Sequence, residues 1–243
     1  MVHNVGMAGP PKQRRSEATR ERLVTAAIET FGADGFTRTS TRTVVERAGA
    51  NLVSIHYHFG GKEQLYCAAA EHIAKHIHDR SAAVLERGRA LSRDRSASRD
   101  ALIEGVCAIY DEFTGIFLAG GLPEGWRQFL VREQMEPSGT TAFRSLFGVI
   151  RPFFECVSTL IGRLQKRRPS DQRVQLTTAF IFGHVYVFRT NPHGALRMLG
   201  WTTFGPREIA AIRTTAREHI GRMLGAVPPP ASVARGRRSA ERR

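Results

Sequence analysis

The chain has 243 residues, 42% of them hydrophobic, with 36 Lys and Arg against 22 Asp and Glu and a formal net charge of +14, enough apolar content for one large or two modest domains and a surplus that favours a polyanionic partner. The charge gathers at the ends, with nine basic and five acidic residues up to residue 62 and five and one from residue 227. Cys67, Cys107 and Cys156 are too few and too scattered for a disulfide framework, no leader-like apolar region opens the chain, and no run reaches the roughly 18 apolar residues of a membrane span, so a cytoplasmic protein with cysteines as small core residues is expected.

In chain order, Met1 to Arg15 is Gly-, Pro- and Arg-rich and reads as a disordered basic arm. Ser16 is the expected cap of a first helix with Leu23, Ala27, Ile28 and Phe31 on one side, ending at Gly35. Two short helices follow. Ser40 caps the first, whose apolar face is Val44, Val45 and Ala48, and Gly49 breaks it. Asn51 caps the second, Leu52 to Phe59, and the pair with its tight corner has the form of a helix-turn-helix, whose second helix enters the DNA major groove. Phe31, Phe36, Val44, Val45, Ile55 and Phe59 are the expected core of this unit.

Lys62 to Glu86 reads as a connecting helix and the polar stretch Arg87 to Arg99 as a loop. From Asp100 the helical period returns with Leu102, Ile103, Val106, Cys107, Tyr110, Phe113 and Phe117, interrupted at Gly120-Gly121-Leu122-Pro123. Further helices are expected at Trp126 to Glu136, stopped by Pro137, at Thr141 to Arg167 with a kink at Pro152, and at Asp171 to Arg189 with Phe180, Ile181, Val185 and Phe188 apolar. The last runs from Pro206 to about Leu224, with Ile209, Ile212, Ile220 and Met223 inward, before a disordered Arg-rich tail. No strand or repeat is evident. The expected organisation is all-α: arm 1–15, helix-turn-helix domain 16–65, helical effector-binding and dimerisation domain 66–226, tail 227–243.

The stretch from Thr19 to Leu65 resembles the DNA-binding domain of TetR-family transcriptional regulators. The likeness rests on the apolar spacing of the first helix, the Gly35-Phe36 turn, Thr39-Ser40, Ala48-Gly49, Tyr57-His58-Phe59, Lys62-Glu63 and Leu65. Trp126 to Pro137 and the pattern from Phe143 to Gly200 are similar to the effector domain of the CecR (YbiH-like) branch. The resemblance implies a homodimer that binds a palindromic operator as a repressor and releases it when a small molecule enters the C-terminal domain.

By the same resemblance Ser40, Thr41, Arg42, Tyr57, His58 and Lys62 hold phosphates, while Asn51, Leu52, Val53, Ser54 and His56 face the groove or its wall. Leu52-Val53 departs from a common family pattern, and two aliphatic side chains favour thymine methyls over guanine edges. The effector would be lined by Tyr110, Phe113, Phe117, Trp126 and Phe129, with Arg132, Glu133 or His184 orienting a polar group. The dimer face would come from residues 141–167 and 171–189, through Phe147, Phe154, Leu160, Ala179, Gly183 and Val187. His72 and His76, one turn apart, raise a metal-ligand reading, but no further ligand stands at a matching spacing, and no cofactor motif is found. A metal-responsive or effector-independent DNA-binding regulator stays as the alternative. An enzyme is disfavoured, because no nucleophile elbow, HExxH or P-loop is present.

Overall fold

The computed structural model describes residues 11–135 and 138–225, and every regular element among them is helical. The chain runs α1 (Pro11–Asp34), α2 (Thr41–Ala48), α3 (Leu52–Phe59), α4 (Lys62–Arg93), α5 (Arg99–Phe117), α6 (Glu124–Met135), α7 (Ala142–Gln165), α8 (Gln172–Thr190), α9 (Pro192–Leu199) and α10 (Pro206–Gly225). Residues 1–10 of the expected arm 1–15 and the whole expected tail 227–243 lie outside the described residues, as does the expected stop at Pro137.

Three expectations are corrected by the helix boundaries. Helix α1 opens at Pro11, not at Ser16. Proline suits a first helical position, where its missing N–H would be unpaired anyway, so Ser16 and the basic residues before it are helical. Helix α4 runs seven residues beyond Glu86 into the expected loop, which shrinks to residues 94–98. The reason is tertiary. A Cβ at Gly88 would stand 2.6 Å from Cys156 Sγ and 2.9 Å from Ile109 Cδ1, so α5 and α7 close onto α4 there. Arg163 of α7 also donates to the carbonyls of Leu91 and Ser92, at 2.6 and 3.0 Å, holding the last turn. The third difference is α9, which sequence periodicity did not reveal. Asn191 caps it by accepting from Gly194 N at 3.0 Å, Pro192 occupies the first turn, and Gly200 ends it at φ 66°.

One apolar core runs through both parts of the molecule, from Leu23, Ile28, Phe31 and Ile55 to Ile73, Ile77, Val106, Ile109, Phe153 and Val157. Residues 144–165 are, against expectation, long and apolar enough to cross a bilayer by composition. In the fold, their Phe153, Val157, Leu160 and Ile161 are fully covered, which is how a core helix passes the same test. In α10 Ile209, Ile212 and Ile220 are buried as expected, but Met223 is exposed and Leu224 takes the inward position. Phe180, expected within the apolar pattern of α8, is exposed. Cys107 and Cys156 are buried, and burial raises both thiols, Cys107 to about 11.

Candidate nucleic-acid interface and effector region

The two short helices owe their ends to side chains that the sequence places one residue before them. Ser40 Oγ accepts from Thr43 N at 3.1 Å and Asn51 Oδ1 from Ser54 N at 2.9 Å, each satisfying an amide that has no partner inside its helix. Gly49 at φ 58° and Gly60 at φ 87° end α2 and α3 in the left-handed region. Thr39, part of the Thr39-Ser40 pair, is also a latch: its buried hydroxyl donates to Gly35 O at 2.8 Å and fixes the turn into α2.

With Ile55 buried and Phe59 packed against the core, α3 turns its other face outward. Leu52, Val53 and Tyr57 are 48, 72 and 78% exposed, and His56 shares that face. Asn51 is exposed too, but its carbonyl oxygen is engaged by Ser54 N and by Ser54 Oγ at 2.8 Å. Ser40 Oγ lies 2.8 Å from Thr43 Oγ1, Thr41 is half-buried, and Arg42 meets Glu46 at 3.1 Å in an exposed pair that is easily exchanged for a phosphate. The His58 ring is half-buried between Tyr57 and Phe59. Lys62 lies over the Phe36 ring at 4.6 Å, 3.4 Å from Thr37 O, and burial lowers its pKa. It therefore braces the turn after α1 besides offering charge. Arg20 of α1, which periodicity does not mark, stands 5.3 Å over Phe59.

The expected effector residues separate into several places. Phe129 and Glu133 are corrected, because neither stands in the walls of the cavities described below: they join the N-terminal helices to the body. Phe129 stacks on Tyr66 of α4 at 4.6 Å, and Tyr66 meets Phe31 and Phe36 edge-on at 4.9 and 5.0 Å. The Tyr66 hydroxyl donates to the buried Glu133 carboxylate at 2.6 Å, which also accepts from Ser138 N and Oγ at 3.1 and 3.0 Å. Burial first, then the bond to Glu133 and its charge, push the Tyr66 phenol well above its ordinary value. Arg132 donates to Gly32 O at 2.7 Å and to Ala33 O, holding the last carbonyls of α1. A Cβ on Gly32 would stand 2.4 Å from Gly125 O, so α1 and α6 meet backbone to backbone. Trp126 is edge-on to His72 and His76 at 5.3 and 5.2 Å, and burial depresses the His72 pKa. Among the described residues no three His, Cys, Asp or Glu side chains converge as metal ligands.

Of the other expected lining residues, Phe113, Phe117, Arg132 and His184 stand in the walls of three open cavities, whereas Tyr110 and Trp126 stand in none of the three. One of about 930 Å³ lies among α5, α6, α7 and α8, with Phe113, Phe147, Phe154, Phe182 and Tyr186 in its wall. A second, about 720 Å³, takes Phe117 and Arg132 beside Arg127 and His193. The third, about 650 Å³, is a groove between α8 and α10 that contains His184 and His219, their rings 5.8 Å apart. Tyr110 is fully buried next to His184, and Phe113 joins Phe153 and Phe182 in an aromatic cluster. Leu160 is corrected as a dimer residue because it is completely buried. Phe154 stacks on Phe182 at 4.5 Å, Phe147 is exposed, and Ala179, Gly183 and Val187 form an accessible stripe on α8, with open space before Gly183.

Comparison with known proteins follows this division. Residues 23–69 match the family described as bacterial regulatory proteins, tetR family, and residues 102–227 match the C-terminal domain of the HTH-type transcriptional dual regulator CecR. The chain is 29% identical over 219 residues to CecR of Shigella flexneri, covering 90% of this chain and 96% of that one. It is 27% identical over 150 residues to the HTH-type transcriptional repressor NicS of Pseudomonas putida, covering 59 and 65%. Among solved structures, a TetR-family regulator from Mesorhizobium loti superposes with a TM-score of 0.57 at 17% identity, covering 87% of this chain and 97% of that one. FadR from Bacillus subtilis, in complex with stearoyl-CoA, superposes with a TM-score of 0.52 at 13% identity, covering 82 and 96%.

Proposed function

The chain belongs to the TetR family of bacterial transcriptional regulators, with a C-terminal domain of the CecR type, and from that premise we propose that it is a cytoplasmic homodimeric repressor, released from a palindromic operator by a small molecule. Proteins of this family and fold are regulators and not enzymes. The observation that carries the reading is the outward face of α3, where Leu52, Val53, His56 and Tyr57 are exposed on a helix rigidly capped at both ends. Arg42, Tyr57, His58 and Lys62 supply the phosphate contacts and Leu52-Val53 the base preference.

The dimer face of this proposal is α8 with α10, in place of the α7–α8 pairing expected from sequence. Phe180 and Val187 on α8 are 63 and 59% exposed, and the adjoining groove is floored by Ala211, Thr215 and Ala216 of α10. Small residues there let helices of a second copy approach closely, whereas the apolar face of α7 is spent on the core. A two-fold axis at this face gives a self-complementary contact and two recognition helices for two half-sites, about 34–36 Å apart for one turn of DNA. A ligand that prefers the subunit arrangement unfit for DNA must weaken operator binding by the same coupling free energy.

Selection of bound fragments from random DNA tests the reading. A palindrome with thymine in each half-site is expected, and exchanging that thymine for uracil should weaken binding about fourfold, the value of one buried methyl. An asymmetric site bound by a monomer would refute the dimer. Val187→Glu, which places a carboxylate on the proposed two-fold face, should give monomers in sedimentation and abolish palindrome binding.

A further inference from the structure

Arg189, near the C-terminal end of α8, forms part of the wall of both the 930 Å³ and the 720 Å³ cavities. Its Nη2 donates to Gln134 Oε1 at 2.5 Å and its guanidinium lies over the Phe117 ring at 5.3 Å. No carboxylate among the described residues pairs with it. The acids that line these cavities are already engaged, Glu155 with Arg151 at 2.6 Å and Glu124 with Arg127. Desolvation brings the Arg189 pKa down to about 10. A guanidinium has five N–H donors and stays charged at neutral pH, and half-buried Arg189 spends one of them, on Nη2, on the neutral side chain of Gln134. On one side of it stand Phe113, Phe147, Phe154, Phe182 and Tyr186, and on the other Arg127, Arg132 and His193.

We propose that this is the effector site and that its ligand is an amphipathic monoanion, with an aromatic or aliphatic body in the aromatic cavity and a carboxylate on Arg189. The proposal rests on the regulator reading above and names the chemical class that reading lacks. Carboxylate and guanidinium match in a bidentate, charge-assisted pair, and the ligand supplies the missing countercharge without adding an acid to the apoprotein. The site also has a connection to the DNA-binding helices. An anion that draws Arg189 away loosens its bond to Gln134, which follows directly on Arg132 and Glu133 in α6, the residues that hold the end of α1 and Tyr66 of α4.

The test uses the full chain, titrated calorimetrically with octanoate and naphthoate and with their uncharged counterparts, octanamide and naphthamide. At least one acid should bind about tenfold or more tightly than its amide, a difference set by one charge-assisted pair in a desolvated site. Arg189→Gln should erase the preference while keeping the wild-type melting temperature, and Arg189→Lys should keep part of it. Equal binding of acid and amide, a preference that survives in Arg189→Gln, or no binding of either acid overturns the proposal. Operator binding without ligand is measured in parallel. If it persists while the acids fail, only the anion site falls; if the acids bind through Arg189 and no operator is selected, the regulator reading falls and the site stands.

Discussion

The two short helices of the helix-turn-helix and the ends of α1 and α4 beside them solve the same problem, ending a helix without stranding polar groups, in different ways. Helices α2 and α3 are capped from their own sequence, by Ser40 and Gly49 and by Asn51 and Gly60. The end of α4 is held by Arg163 from 71 and 72 residues away in the chain, and the end of α1 by Arg132 from 99 and 100. A local cap survives movement of everything around it. A distant one makes the helix end depend on how its neighbours are packed.

Substitutions can break or sharpen that contrast, and the largest effects should lie at the seam. Glu133→Ala strands the Tyr66 hydroxyl and Ser138 N, and should cost about 3 kcal/mol or more in urea unfolding. Gly32→Ala drives a methyl into the backbone of Gly125 and should cost about 2 kcal/mol, because a carbonyl cannot turn aside as a flexible side chain can. Tyr66→Phe removes one bond to a buried carboxylate while Ser138 still donates two, for about 1.5 kcal/mol at neutral pH.

The last of these has a pH signature. The folded protein holds the Tyr66 proton more tightly than the unfolded chain, so its contribution is complete below the ordinary phenol pKa of about 10 and falls as pH rises above it. The stability difference between wild type and Tyr66→Phe should therefore narrow above pH 10. A gap that stays constant to pH 11 would mean that the phenol ionises no less easily in the fold than in the unfolded chain. The smallest effects belong to the local caps. Ser40→Ala and Asn51→Ala should each cost about 1 kcal/mol, and because the sites share no partner the double variant should show the sum. A strongly non-additive result would show that α2 and α3 lean on each other more than on their caps.

The recognition unit was legible because its determinants are short-range. Capping residues, a left-handed glycine and an apolar face can be read within a ten-residue window, and the structure keeps Ser40, Gly49 and Asn51 in those roles, while the left-handed end at Gly60 emerged only from the structure. The roles of Arg20 and Thr39 escaped because their partners, Phe59 and Gly35 O, are met only after folding. In the body the helical period gave the helices but not their limits or duties. Arg87 to Arg93 looked like a loop because nothing local shows that Gly88 is closed upon by Cys156 and Ile109. Phe129 and Glu133 looked like ligand contacts because a buried aromatic and a buried acid at helical spacing look the same whether they face a cavity or Tyr66.

By itself, then, the sequence determined an all-α chain and the two capped helices, since these follow from backbone bonds and spacings that act over a few residues. The tertiary structure alone decided which aromatic residues are seam and which are cavity, that Leu160 is core, and that Arg189 stands half-buried in the wall of two cavities with no carboxylate paired to it among the described residues. Burial and countercharge are properties of neighbours brought from distant parts of the chain, and no local pattern encodes them.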